Sequence, residues 1–384
     1  MTKKEISEIR KQCSKKEYFF TKICGCYVHG EDKQTEAFSS AFLALPEEDA
    51  HKYIDIFKKS LSGALNKNLF NVPFGYKGDE KEFHEALDIL VRTGLNDDEA
   101  LELLYSMVID SYDKAENYAI LLVHNRYDVP GKASDGTTME DASEEVYSYL
   151  SCAICPVSLS KPGLAYQGEE GFSSLKQDWV AGMPENAFLY PSFNGRSTDT
   201  GEALYYSSNA KHLREDFAEA VFGSPLPLSA EAQKECFAGI LEEICEGPVE
   251  YSAVCEIKDC LDEIAVNAED AGGGGAGILK KEQVKRIIEG VADREIGDRE
   301  FEAASKGIDW EKGGLYAGNL TDMKKFEIKM PEAVVRINEG MTSRPEVRKI
   351  DGRNCLVIPI EGGMLINGIA VKPDAAGNAG TGGD

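Results

Sequence analysis

The run Tyr118-Ala119-Ile120-Leu121-Leu122-Val123-His124 decides the fold class. It is a continuous apolar stretch of strand length, and such a strand is buried on both faces. Outward from it, residues 18–28 are rich in β-formers and end in the turn cluster His29-Gly30-Glu31-Asp32. Residues 147–156, Trp179-Val180 and Phe188-Leu189-Tyr190 read as further strands. Tyr127-Asp128-Val129-Pro130-Gly131-Lys132, with Asp135-Gly136, reads as a long turn-rich loop, and Asn194-Gly195 with Asp199 as turn chemistry.

Helical signals flank these strands. Residues 4–13 read as an amphipathic helix. Pro46-Glu47-Glu48-Asp49 opens another, because proline suits a first turn and acids suit its positive end. Tyr53, Ile54, Phe57 and Leu61 then recur at helical spacing, as do Phe83, Leu87, Leu90 and Val91. Asn96-Asp97-Asp98-Glu99 caps a helix carrying Leu101, Leu104, Val108 and Ile109, and helix resumes at about 212–221. After Pro225-Leu226-Pro227, residues 231–270 hold 12 acids against Lys234 and Lys258, with Phe237, Ile240, Leu241 and Ile244 on one packed face.

Gly272-Gly273-Gly274-Gly275-Ala276-Gly277 reads as a flexible linker. It lacks the Gly-Lys-Ser/Thr ending of a phosphate loop. Val284, Ile287, Ile288 and Val291 form a short amphipathic helix. From about Lys325 the pattern is β, with Phe326/Ile328 and Val335/Ile337 alternating and Asp351-Gly352 joining a hairpin. Residues 364–369 add another strand pair or edge.

These elements predict an α+β fold: a mixed or antiparallel sheet with flanking helices, plus a small C-terminal all-β module. The expected organisation is a main domain over 1–225, an acidic helical region over 226–271 and a Gly-rich linker over 272–279. A short helical segment over 280–319, the β module over 320–373 and a disordered tail over 374–384 complete it.

The 384 residues carry a net charge of −25, which disfavours nucleic acid and anionic lipid as partners. A local exception is the first 25 residues, where Lys3, Lys4, Arg10, Lys11, Lys15, Lys16 and Lys22 face only Glu5, Glu8 and Glu17. A solvated helix face paired with the acidic bulk is the first reading of that segment. No apolar run reaches the roughly 18 residues of a membrane helix, and the N-terminus lacks the apolar core of a signal peptide. The expected location is therefore cytoplasmic.

Several stretches together are similar to one known family. They include residues 3–9, Ile23-Cys24-Gly25-Cys26-Tyr27-Val28, residues 127–132 leading into 141–147, and Cys152-Ala153-Ile154-Cys155-Pro156-Val157. Lys161-Pro162-Gly163-Leu164, Asp178-Trp179-Val180, Pro191-Ser192-Phe193-Asn194-Gly195-Arg196, residues 324–329 and Ile350-Asp351-Gly352-Arg353 also fit. Over essentially the full chain they resemble the domain-of-unknown-function family 4317 (DUF4317) of Clostridia-like Firmicutes. The resemblance implies a bacterial cytoplasmic protein and transfers no catalytic residues.

Two constellations could carry chemistry. Cys24, Cys26, Cys152 and Cys155 supply four sulfurs suited to tetrahedral zinc. Residues i and i+3 of a straight strand face opposite ways, however, so Cys152 and Cys155 need a bend to share a metal. Buried structural thiols are the first reading, with metal or redox chemistry as alternatives. The second constellation is the central loop cluster of Asp128, Lys132, Asp135, Asp141, Glu144, Asp178, Asn194, Arg196 and Asp199. Its carboxylates could hold magnesium or act as acid and base, and its cations could hold an anionic substrate. The alternative is plain turn chemistry. His124, Asp128, Lys132, Asp178 and Arg196 are the catalytic candidates. Neither zinc nor magnesium is favoured as a cofactor.

The expected function is partner binding or scaffolding, with a protein docking on the C-terminal β module. The alternative is an enzyme with a carboxylate-lined, metal-dependent site in the loops of about 124–206.

Overall fold

The apolar run at 118–124 lies inside a long strand, and its alternating side chains feed two separate cores. The computed structural model describes residues 1–16, 19–75, 80–132, 138–168, 171–270, 277–310, 314–321, 325–331, 333–338, 345–359, 364–366 and 369–371. In chain order the first part holds α1 (Lys3–Gln12), β1 (Phe20–Val28), β2 (Thr35–Ala41), α2 (Glu47–Ser60), β3 (Leu69–Pro73), α3 (Glu80–Thr93) and α4 (Asp98–Ser111). Next come β4 (Tyr118–Lys132), β5 (Thr138–Leu159), β6 (Leu164–Tyr166), β7 (Phe172–Ser174), β8 (Trp179–Ala181) and β9 (Asn186–Tyr190). β10 (Ser192–Asn194), β11 (Ser197–Asp199), β12 (Glu202–Ser207) and α5 (Glu215–Phe222) follow.

The main sheet runs β2-β1-β4-β5-β9-β12-β3, with β8 added on the outer part of β5. Every pairing in it is antiparallel. Because side chains alternate along a strand, Tyr118, Ile120 and Leu122 enter one core, shared with Phe83 and Leu87 of α3, Leu104 of α4 and Phe217 of α5. Ala119, Leu121 and Val123 enter the other, shared with Ile6 and Ile9 of α1 and Ile54 and Phe57 of α2. Leu122 is fully buried, and cutting such a leucine to alanine costs about 2–5 kcal/mol.

Local chemistry fixes the helix ends. The Thr2 side chain and Glu5 form a reciprocal cap on α1, and the Asp97 carboxylate accepts the Ala100 N–H at 3.0 Å to start α4. At the end of α3, Gly94 takes a left-handed φ of 64° and the Leu95 N–H reaches back to the Leu90 carbonyl at 2.9 Å.

One sequence expectation is corrected here. Residues 127–132 are not a loop: β4 continues through Lys132, paired with β5 from Thr138. Register shifts on both sides of Pro130 let the ladder accommodate a residue that cannot donate. β2, β3 and β12 are sheet strands the sequence reading did not anticipate.

The acidic helices α6 (Ala230–Ile244) and α7 (Tyr251–Asp270) follow α5. After them come β13 (Ile278–Leu279), α8 (Lys281–Ala292), α9 (Asp298–Ala304), β14 (Leu315–Tyr316) and α10 (Ala317–Leu320). One compact unit comprises Met1–Val249 with Glu256–Thr321, so most of this helical stretch belongs with the sheet. The Tyr316 N–H donates to Gln233 Oε1 at 2.9 Å, and Asn319 Nδ2 donates to the Asn66 carbonyl at 2.7 Å. Most of the glycine run of the expected linker lies outside the described residues, whereas Ile278–Leu279 pairs with Leu315–Tyr316. The expected tail, 374–384, also lies outside them.

The second compact unit comprises Glu250–Cys255 and Asp322–Asp384. It holds three antiparallel hairpins: β15 (Lys325–Met330) with β16 (Ala333–Asn338), β17 (Glu346–Ile350) with β18 (Arg353–Val357), and β19 (Met364–Ile366) with β20 (Ile369–Val371). Phe326 faces Ile337 and Ile328 faces Val335, so one side of the first hairpin is apolar. Both Asp351 and Gly352 have positive φ, which suits the tight turn between β17 and β18. Among the residues of this unit whose burial is described, Pro345 alone is buried, and its carbonyl accepts the Tyr251 hydroxyl at 2.7 Å.

Candidate functional site

The polar residues nominated from sequence are dispersed. Asp128 is exposed on β4 opposite Val146, and Lys132 is the last residue of that strand. Asp135 lies outside the described residues, and Asp141 and Glu144 fall within β5. Asp178 is exposed, its N–H donating to Ser160 Oγ at 3.1 Å. Asn194 donates to Asp199 at 2.7 Å and to Glu202 at 2.8 Å, bracing the β10–β11 hairpin. Arg196 holds a left-handed φ of 63° in that hairpin's turn. Its guanidinium donates to Glu8 Oε2 at 3.0 Å and to the Pro130 carbonyl at 2.9 Å. These bonds tie the hairpin to α1 and β4.

The cysteines divide between faces. Register places Cys24 of β1 beside Leu122 of β4, and Leu122 beside Cys152 of β5. Two strand spacings make about 10 Å, too far for two sulfurs that must each sit about 2.3 Å from one zinc. Cys24, Cys26 and Cys152 point into the α3–α4 core, whereas Cys155 points into the α1–α2 core. Among the described residues no three Cys, His, Asp or Glu side chains converge as a ligand set. Burial pushes the Cys26 thiol up to about 11 and the Cys155 thiol up to about 12, and raises Cys24 and Cys152 as well. All four are protonated at neutral pH, the inert form.

His124 does sit in a concavity. A cleft of about 750 Å³ opens where β1, β4 and β5 meet the end of α3. The imidazole lies at its floor, with Nδ1 2.8 Å from Thr21 Oγ1 and Nε2 2.9 Å from Ser148 Oγ. Thr21 falls at the register shift between β1 and β4, between Phe20 and Lys22. Lys22 Nζ donates to the Leu95 carbonyl at 2.6 Å and to Asn96 Oδ1 at 3.0 Å, which pins the α3–α4 turn. Burial lowers the His124 pKa, the nearby Arg126 charge adds to this, and a bond to the Val91 carbonyl opposes it. Arg92 and Arg126 are exposed on the cleft wall. Asp88, also on the wall, accepts the buried Tyr190 hydroxyl at 2.5 Å. Among the described residues that line this cleft, neither Asp128 nor Arg196 appears.

A second surface stands out by its exposure. Beyond the main sheet β5 pairs with β8, Leu159 facing Trp179 and Ser158 facing Val180. The Ser160 N–H bonds the Asp178 carbonyl, the Leu175 N–H bonds the Gly163 carbonyl, and β6 then pairs with β7. Residues 157–168 and 171–181 thus form the two sides of one long hairpin arm. Leu164 (70% exposed), Tyr166 (71%), Phe172 (68%) and Trp179 (57%) lie along it, together with half-exposed Leu159, Leu175 and Val180. The β6–β7 register places Leu164, Tyr166 and Phe172 on one face, and the Tyr166 and Phe172 rings touch at 5.4 Å. Leu159 and Trp179 share one face of the base, with Val180 on the other.

No helix among the described residues is long and apolar enough to cross a membrane. No curated protein and no solved structure matches the chain. A family model described as a domain of unknown function (DUF4317) matches residues 1–369.

Proposed function

The chain belongs to the DUF4317 family, a domain of unknown function, and we propose that it is a partner-binding or scaffold protein that assembles with a second copy of itself through the hairpin arm. The observation that carries this reading is the clustering of exposed Leu164, Tyr166, Phe172 and Trp179 within one arm. Aromatic side chains present about 150–250 Å² each, so the three rings alone leave roughly 300–500 Å² in water. With Leu159, Leu164 and Leu175 the arm approaches the about 800 Å² per partner of a standard interface. The outer edge of β8 has no strand neighbour among the described residues. Two such edges related by a two-fold axis meet antiparallel, the pairing this sheet uses throughout.

The net charge of −25 disfavours an anionic membrane as the surface that covers the arm. The first two C-terminal hairpins support the same class of function: among their residues whose burial is described none of the strand positions is buried, and isolated two-stranded hairpins are marginal without a surface to cover them.

Trp179 is a reporter within the arm. The chain has 2 tryptophans, so Trp310→Phe leaves Trp179 as the single indole, excited selectively over tyrosine at the red edge of the absorption band. Its emission is expected to shift to the blue as protein concentration rises, because assembly takes the indole out of water. Emission that stays at the solvent-exposed position over the whole concentration range would contradict the reading.

A further inference from the structure

We infer that the His124 cleft binds a small polar ligand carrying a phosphate monoester. Among the described residues, Lys22, Arg92 and Arg126 converge on the cleft against one carboxylate, that of Asp88, in a chain with 67 acids and 42 lysines and arginines. Asp88 is committed to the Tyr190 hydroxyl and Lys22 to the α3–α4 turn. The Arg92 and Arg126 guanidinium groups hold no hydrogen bond or ion pair among the described residues. Two guanidinium groups without a carboxylate, facing one concavity of an acidic protein, are a pair of anion receptors. Their planar forks match phosphate oxygens in a way a point charge does not.

The floor adds a hydroxyl donor. Arg126 and Ser148 are cross-strand partners, so their side chains leave the sheet side by side on the same face and reach the same oxyanion. A neutral imidazole has one N–H and one lone pair. The Ser148 hydroxyl lies 2.9 Å from His124 Nε2, and where the ring proton is on Nε2 its O–H is left to donate to the ligand.

Size and lining define the rest of the ligand. A cleft of about 750 Å³ is larger than a phosphate group needs and falls among small-molecule sites of about 300–1,000 Å³, so the phosphate rides on an organic body. Among the described residues the wall has no Phe, Tyr or Trp to stack a nucleobase. The hydroxyls of Thr21, Thr93 and Ser148 and the amide of Asn96 line it instead, and these suit a sugar-like body.

The test is isothermal titration of the full chain with inorganic phosphate, a hexose phosphate and adenosine monophosphate. The expected order is hexose phosphate tightest, with affinity falling as salt rises. Arg126→Ala and Arg92→Ala are each expected to weaken binding at least about tenfold, because a charge-assisted bond is lost. Ser148→Ala is expected to weaken it less, and Lys176→Ala, outside the cleft, not at all. Circular-dichroism melting should be unchanged for both arginine variants. Trp179→Glu should bind as the parent does, which separates this site from the arm. Absence of binding by phosphate and hexose phosphate, or undiminished affinity in both arginine variants, would overturn the site. A nucleotide that binds more tightly than the hexose phosphate would overturn the ligand class.

Discussion

Arg196 Nη1 and Glu8 Oε2, 188 residues apart in sequence, meet at 3.0 Å. The other carboxylate oxygen of Glu8 accepts the Tyr127 hydroxyl at 2.8 Å, and the Arg196 backbone N–H donates to Glu5 Oε1 at 3.2 Å. The side chain is therefore a strut joining the N-terminal helix, the β10–β11 turn and the β4–β5 ladder. Both partners are about a quarter exposed, so solvent screens the pair only partly.

Arg196→Ala should destabilise the fold by about 1–3 kcal/mol, the range for lost hydrogen bonds to a charged group. Urea unfolding measures it. Arg196→Lys should recover only part of the loss, because one ammonium cannot reach Glu8 and the Pro130 carbonyl as the fork does. Unchanged midpoints in both variants would show that the strut is idle.

The thiols should divide by depth. Cys13, Cys24, Cys26, Cys152 and Cys155 are buried, and Cys236, Cys245, Cys255, Cys260 and Cys355 are half-buried. A disulfide reagent added to native protein should modify the second group first and leave the first group untouched until denaturant is added. Fast native modification of Cys24 or Cys152, read by peptide mass spectrometry, would contradict the burial that raises their pKa values.

His124 gives stability a pH dependence of known sign. Burial lowers its folded-state pKa, so the unfolded chain binds the proton more readily. The stability that neutral His124 contributes is complete above the unfolded value of about 6.5. It is lost as pH falls through that value toward the lower folded-state pKa. Unfolding free energies between about pH 7.5 and 5 should fall less steeply for His124→Gln than for the parent. Equal slopes would contradict the assignment.

The sheet centre was legible because burial on both faces leaves an unbroken apolar run, as at Ile120-Leu121-Leu122-Val123. The start of α4 was legible because Asp97 is a local capping signal. The extension of β4 to Lys132 was not, since Pro130-Gly131 is ordinary turn chemistry and only the pairing with β5 overrides it. The arm was half legible. Trp179-Val180 reads as a strand, but an apolar side chain looks the same in sequence whether it is covered or bare. The cleft was legible only through His124. Lys22, Arg92 and Arg126 come from three different elements, and no local motif links them. Asp128 and Arg196 are both polar residues of turn-like segments, which says nothing of convergence, and neither is among the described residues that line that cleft.

The central claim is that the exposed arm is covered by a second copy, and mass in solution tests it most directly. Light scattering on the eluting full chain should give twice 42.0 kDa, with the dimer favoured by added salt because screening relieves repulsion between two copies of net charge −25. Phe172→Glu with Trp179→Glu should return the mass to 42.0 kDa at an unchanged circular-dichroism spectrum. A parent protein that elutes at 42.0 kDa at every concentration and salt would contradict the account.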